Sequence, residues 1–377
     1  MGSLPLQGIR IVDFSTLLPG PLATLMLTDA GAVVVKIEAP NGGDGARAHL
    51  PQDGDESLHF AQLNRGKKSV VLDLKSAEGK AAALRLIAQA DVVVEQFRPG
   101  VMTRLGLDYA AARGVKADII YCSITGYGQT GPMAKTPGHD LNYLARAGLL
   151  SLSCGEDGHP VLPSAAIADI GGGTLPAVIN ILLALLRRQQ SGEGCHIDVS
   201  MTDNTLAWMP RALGAASRGL AVPRISEGRH IAGGPRYGIY ITADRKALAV
   251  AALEPQFWTR FCERIGLPPA QRDDSVNPHA VRDAVTAIIA SHDCAWWVER
   301  FKGEDVCVDV VQDLAAALQD PHFLARGVWD RQLRLHNGKM LAALPLPLAP
   351  ELSDQRPRGY PALGAHSAND ADIWERD

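Results

Sequence analysis

Two short motifs carry residue types that move protons at carbon. Gly138-His139-Asp140-Leu141-Asn142-Tyr143 supplies an imidazole, and Asp169-Ile170-Gly171-Gly172-Gly173 supplies a carboxylate followed by glycines. Taking a proton from a carbon next to a carbonyl needs a base on one face, and inverting that carbon needs an acid on the other. An imidazole ordinarily titrates near about 6.5 and suits either role at neutral pH. An aspartate, ordinarily near about 3.9, becomes a useful acid only when burial raises it. Asp169 is therefore expected to be substantially buried once substrate is bound. Leu253-Glu254-Pro255-Gln256-Phe257 offers another carboxylate, Glu254, to orient the histidine. Backbone N–H groups from Asp169 to Gly173, ahead of a helix expected from Thr174, are candidates to stabilise an enolate oxygen. Each motif also has a plainer reading. His139 can be a surface histidine, Asp169 a helix N-cap, and Glu254 the residue that starts a helix at Pro255.

The elements that must position these residues begin with a β-α-β pattern. Gly8 to Phe14 and Ala32 to Ile37 read as buried strands. Between them stand a Pro19-Gly20-Pro21 turn and a helix from Leu22 to Ala30. Further strands are expected at Lys68 to Leu74, Asp91 to Glu95 and within Ala117 to Ile124, with a helix from Ala77 to Ala90. The first third thus reads as doubly wound α/β. Thr174 to Gln190 is a helix with an apolar face, and Cys195 to Met201 another strand or a strand-helix junction. Ala221 to Gly234 is polar and reads as linker. Tyr237 to Ile241 and Ala247 to Ala252 alternate like a hairpin, with Asp244-Arg245 near its turn, and helices follow. That region is the candidate for a smaller α+β domain.

The chain has 377 residues, 46% hydrophobic and 21% charged, and a formal charge of -4. This fits a globular protein of two domains and excludes wholesale nucleic-acid binding. Six cysteines form no CxxC pair and no metal-ligand spacing, so they read as buried small side chains and no metal is expected. The most apolar stretch, Ala177 to Leu186, reads as too short to cross a bilayer. With no targeting signal recognised, a cytoplasmic protein is expected. Gly126-Tyr127-Gly128-Gln129-Thr130-Gly131 matches G-x-G-x-x-G, but Pro132 and Pro137 stand where a dinucleotide-binding helix must run. It is read as a loop that lets backbone approach a ligand.

The chain resembles the family III CoA-transferases, the carnitine dehydratase and bile-acid-inducible F group. Within them it is most similar to the α-methylacyl-CoA racemase branch. The likeness runs through GIRIVDFSTLLPGPLATLMLTDAGAVVVKIE, NRGKKSVVLDLK, FRPGVMTRLGL, ITGYGQTGP, GHDLNYLA, ADIGGG, the segment from Gly192 to Met201, LEPQFW and ALGAHS. GHDLNYLA and LEPQF point to the racemase branch. The resemblance implies that His139 and Asp169 form the acid-base pair and that Glu254 lies close to His139. In the transferase branch the residue matching Asp169 is instead a nucleophile that carries the acyl group as a mixed anhydride.

The resemblance also implies an interlocked homodimer with a large Rossmann-like domain and a smaller α+β domain. The expected division is a large α/β CoA-binding domain at 1–200, a linker at 201–232, a small domain at 233–318 and a return segment at 319–377. CoA enters as part of the thioester substrate, with no separate cofactor. By family position its contacts are Leu72, Asp73, Leu74, Lys75, Phe97, Arg98 and Arg104, with Gly138, Asp140, Leu141, Asn142 and Tyr143 nearer the thioester. Lys68 is a further cationic candidate. Ala39 stands where racemases often carry a CoA-contacting arginine, leaving Lys36 as a replacement. Three readings compete: an acyl-CoA racemase, a CoA-transferase, and a non-catalytic acyl-CoA binder, which the complete set of His139, Asp169 and Glu254 disfavours.

Overall fold

The computed structural model describes residues 3–155, 158–222 and 234–376. The chain divides into two compact units. The first joins Met1–Ala147, Pro163–Trp208 and Pro321–Asp377, and the second joins Gly148–Leu162 and Met209–Asp320.

The first unit is built on a six-stranded parallel sheet: β1 (Arg10–Asp13), β2 (Val33–Glu38), β3 (Lys68–Val71), β4 (Val92–Glu95), β5 (Ile120–Thr125) and β6 (Cys195–Ser200). Their spatial order is β3-β2-β1-β4-β5-β6, the doubly wound order that reverses direction between β1 and β4. Valine and isoleucine runs make these strands because a parallel sheet covered on both faces needs apolar side chains on both. β2, VVVKIE, is buried at every position. Val12, Val35 and Val93 from three strands pack with Leu86 and Ile87 from α2 (Ala77–Ala88), each large side chain contributing about 1.5–3 kcal/mol.

Helix α1 (Pro19–Asp29) begins three residues earlier than its apolar run suggests. The Pro-Gly-Pro sequence is its first turn, where a missing N–H costs nothing because that N–H has no partner in the helix. Gly20 sits where a Cβ would fall 2.2 Å from the Ser15 Cβ.

Charges under the sheet's carboxyl edge are buried in pairs. Lys36 meets Asp44 at 2.8 Å, both side chains without solvent exposure. Lys67 meets Asp13 at 3.4 Å, Thr24 donates to Asp13 at 2.6 Å, and Arg47 binds Glu38. The stretch Pro321–Asp377 belongs to the same unit: His366 N–H donates to Ser69 O at 2.9 Å beside β3.

The expected linker at 201–232 is helical over much of its described part, with α5 (Met201–Thr205) and Pro210–Ser217; residues 223–232 lie outside the described residues. Gly148–Leu162, expected in the large domain, belongs to the second unit. That unit holds an antiparallel sheet in the order β9-β8-β7, from β7 (Tyr237–Ile241), β8 (Ala247–Ala251) and β9 (Val308–Val310). Arg245 takes the left-handed conformation, φ 61°, at the hairpin turn. Helices Pro255–Ile265, Pro278–Ile289 and Cys294–Phe301 pack Phe261, Val285 and Trp297 against Leu248 and Val250.

Candidate functional site

A cavity of about 430 Å³ opens at the carboxyl ends of β1, β4 and β5. That is the switch point of a doubly wound sheet, where the loops from β1 and β4 leave in opposite directions and a crevice forms between them. Thr16 and Leu17 line it after β1, Gln96 to Pro99 after β4, and Ile124 to Gly126 at the end of β5. His139, Asn142, Tyr143 and Asp169 complete the wall. The two motifs that offered an acid and a base therefore meet in one cavity.

His139 precedes helix α3 (Asp140–Ala147) and is exposed. Its carbonyl accepts from Asn142 N–H at 2.8 Å, and its own N–H donates to Asn142 Oδ1 at 3.0 Å. The Asn142 side chain supplies the returning half of a capping box, and the pair fixes the backbone that carries the imidazole. Tyr143, on the next turn, donates its hydroxyl to Gly138 O at 2.5 Å. Its ring fills the space beside Gly126, where a Cβ would sit 2.4 Å from a ring carbon. The glycine-rich loop thus approaches an aromatic side chain of the protein itself.

Asp169 is half-buried, and its pKa is pushed up to about 6, first by burial, then by the Asp140 carboxylate, with His139 opposing. Asp140 also accepts the Asp169 N–H at 2.9 Å. The segment around it differs from expectation. Ala168–Thr174 is a π-helical turn that runs directly into α4 (Leu175–Ser191). Wide turns of this kind are rare overall and frequent at functional sites. The glycines serve close packing: a Cβ on Gly171 would meet Trp208 at 2.4 Å, and one on Gly172 would meet the Met201 carbonyl at 2.3 Å. Two of the expected free donors are committed, Asp169 N–H to Asp140 and Ile170 N–H to Ala166 O at 3.2 Å.

The joined segment Ala168–Ser191 is long and apolar enough to cross a membrane, which corrects the shorter reading of Ala177 to Leu186. Half of its most apolar window is buried inside the protein.

Glu254 is exposed, and its backbone starts the helix at Pro255 while its side chain makes no capping bond. It belongs to the second unit, so its pairing with His139 rests on the family resemblance. Phe97 and Arg98 line the cavity; Leu72, Asp73, Leu74, Lys75, Arg104, Asp140 and Leu141 do not. Leu72 and Leu74 pack partly into the core, and Asp73 accepts from Lys75 N–H at 3.0 Å in the turn before α2.

Lys36 cannot replace the arginine missing at Ala39. It is buried, paired with Asp44, and donates to Ser15 O at 2.7 Å. Its work is to hold the Ser15-Thr16-Leu17 turn, where Leu17 takes φ 64° and gives its N–H to Asp44 at 3.0 Å. Lys68 is likewise buried and donates to Asp372 O at 2.8 Å. Cys307 is exposed, contrary to the buried reading of the cysteines. Leu17 and Gln96 were missed as lining residues; standing just after buried strands was the one sequence signal that marked them.

The sequence profile of CoA-transferase family III matches residues 6–367. The acetyl-CoA:oxalate CoA-transferase of Acetobacter aceti is 34% identical over 334 residues, covering 86% of this chain and 85% of that protein. The human alpha-methylacyl-CoA racemase is 33% identical over 332 residues, covering 86% and 82%. A crystal structure of a CAIB/BAIF family protein from Brucella suis aligns with TM-score 0.82 at 28% identity, covering 97% of this chain and 98% of that one.

Proposed function

Because the chain belongs to CoA-transferase family III, we propose that it racemises 2-methylacyl-CoA thioesters. At the coarser level it is an enzyme acting on acyl-CoA. The observation that carries the finer reading is a histidine and a raised aspartate lining one cavity. One group takes the C2 proton, its electron pair moves into the thioester carbonyl to give a planar enolate, and the other group returns a proton to the opposite face. An aspartate near about 6 lies close to where an imidazole ordinarily titrates. The raised aspartate can then give a proton as well as take one, which is what turnover in both directions requires. Glu254 stabilises the imidazolium in this proposal. Phe97 and Arg98 hold the pantetheine side, and Leu72 to Lys75 with Arg104 take the nucleotide end outside the cavity.

The similarity to an oxalate CoA-transferase supports a second reading. There a carboxylate oxygen of Asp169 bonds to the thioester carbon, CoA leaves as thiolate, and a mixed anhydride remains for the acceptor.

The proposal includes a homodimer. The outward side of α4 exposes Ile179, Leu182, Leu183 and Leu186, an apolar stripe of the kind a second copy covers. It also keeps the enzyme cytoplasmic, off membranes and nucleic acids, and without a resident metal or cofactor.

Incubating the protein with (2R)-2-methylacyl-CoA in D₂O, with and without an acceptor carboxylate, separates the readings. Deuterium at C2 with loss of optical purity, independent of acceptor, is expected. Acceptor-dependent CoA exchange with the C2 proton retained would replace the racemase with the transferase.

A further inference from the structure

The turn after β4 separates two cavities. Its Gln96, Phe97, Arg98 and Pro99 face the reactive one. Its Glu95, with Arg98 and Pro99 again, faces another of about 210 Å³. Glu95 is buried, 3% exposed, yet no charged partner from Lys or Arg stands among the groups that set its protonation. Its carboxylate accepts the N–H of Phe97 at 2.8 Å. Behind it the Ser123 hydroxyl lies within reach on the neighbouring strand, and Ser123 Oγ meets His196 Nε2 at 3.0 Å. His196 stacks on Tyr109 and meets Tyr121 edge-on. On the far side of the turn, Gln96 Oε1 accepts the N–H of Gly20 at 3.0 Å. The turn is therefore held from both sides, while the mechanism above leaves the carboxyl, hydroxyl and imidazole without a task.

We propose that Glu95, backed by Ser123 and His196, is a positioning residue that sets Phe97 and Arg98 against the pantetheine arm of CoA. This deepens the acyl-CoA reading and rests on it. A buried carboxyl is costly unless it is hydrogen-bonded, and here it is the acceptor that closes the turn. Burial pushes Glu95 up to about 7, with Ser123 and the Phe97 N–H opposing and Asp198 adding to the rise. Tyr121 and Cys122 face it from β5, His196 and Asp198 from β6, and Arg98 and Asp108 from the cavity wall. The charged form of Glu95 grips the N–H harder than the neutral one, so the turn tightens as pH rises through about 7.

The test is calorimetric titration of free CoA into folded wild type, Glu95→Ala and Glu95→Gln at pH 6 and pH 8. Glu95→Ala is expected to weaken CoA by about tenfold. Glu95→Gln keeps an acceptor oxygen and is expected to restore most of the affinity at pH 6 but to trail wild type at pH 8. In turnover assays the loss falls on KM more than on kcat. Should Glu95→Ala fail to fold, Ser123→Ala takes its place, with an expected loss of about threefold. Wild-type CoA affinity in either folded alanine variant would overturn the proposal. Absence of C2 exchange in wild type, with the CoA pattern intact, would sink the racemase reading alone.

Discussion

Asp13 and Asp169 are the same residue type in the same unit, and their surroundings drive them in opposite directions. Burial pushes Asp13 up, but Lys67, Lys36 and the hydroxyls of Ser15 and Thr24 more than reverse it, and its carboxyl ends below the usual range. Burial also pushes Asp169 up, and there the next neighbour is another carboxylate, Asp140. One aspartate is locked into its charged form and holds structure. The other is left able to gain and lose a proton. What separates a carboxylate held charged from one left titratable here is the company of cations, more than the depth of burial.

The strongest way to break this contrast is to exchange the two losses. Asp169→Ala is expected to lower the rate of C2 exchange by about 10²–10⁴-fold with little change in stability. Asp13→Asn is expected to cost about 3 kcal/mol by stranding the buried Lys67. Enzyme assay and urea unfolding of both variants check this, and a large stability loss at Asp169 would erase the distinction. Next in size is Asn142→Ala, which removes the acceptor for the His139 N–H. A lost cap costs about 1 kcal/mol, expected as a several-fold fall in kcat with CoA affinity retained.

The smallest effect sharpens the comparison through pH. A carboxyl raised in the folded state binds its proton more tightly there than in the unfolded chain. Stability therefore falls as pH rises from about 4 to the folded value near 6. Asp169→Asn removes that penalty, so its Tm is expected to exceed wild type by about 1–2 °C at pH 7.5, with the gap closing at pH 4. Asp13 has the opposite sign. Its contribution is present above its ordinary 3.8 and is lost as pH falls through its depressed folded value. Melting curves across pH test both signs.

Much of the fold was legible because parallel strands announce themselves as valine and isoleucine runs. The strands at Arg10–Asp13, Val33–Glu38 and Val92–Glu95 lie within two residues of their sequence reading. Pro19-Gly20-Pro21 misled because its dipeptides are turn signals in general, whereas at a helix start the first N–H groups need no partner. The triple glycine misled in the same way. It looked like open backbone for a ligand, and its packing partners Met201 and Trp208 stand far along the chain, beyond α4.

The sequence by itself determined the chemistry on offer. Residue types at His139 and Asp169 offer proton transfer or carboxylate attack, and apolar runs commit the N-terminal part to a covered parallel sheet. Tertiary structure alone decided which charges are spent. Lys36 and Lys68 read as free cations until the fold buried one against Asp44 and the other against the Asp372 carbonyl. It also decided where the site lies, because the gap between the β1 and β4 loops exists only once the strands take the order β3-β2-β1-β4-β5-β6. Electrostatic and packing energies depend on distances between residues far apart in the chain. Local sequence fixes backbone preference but not those distances.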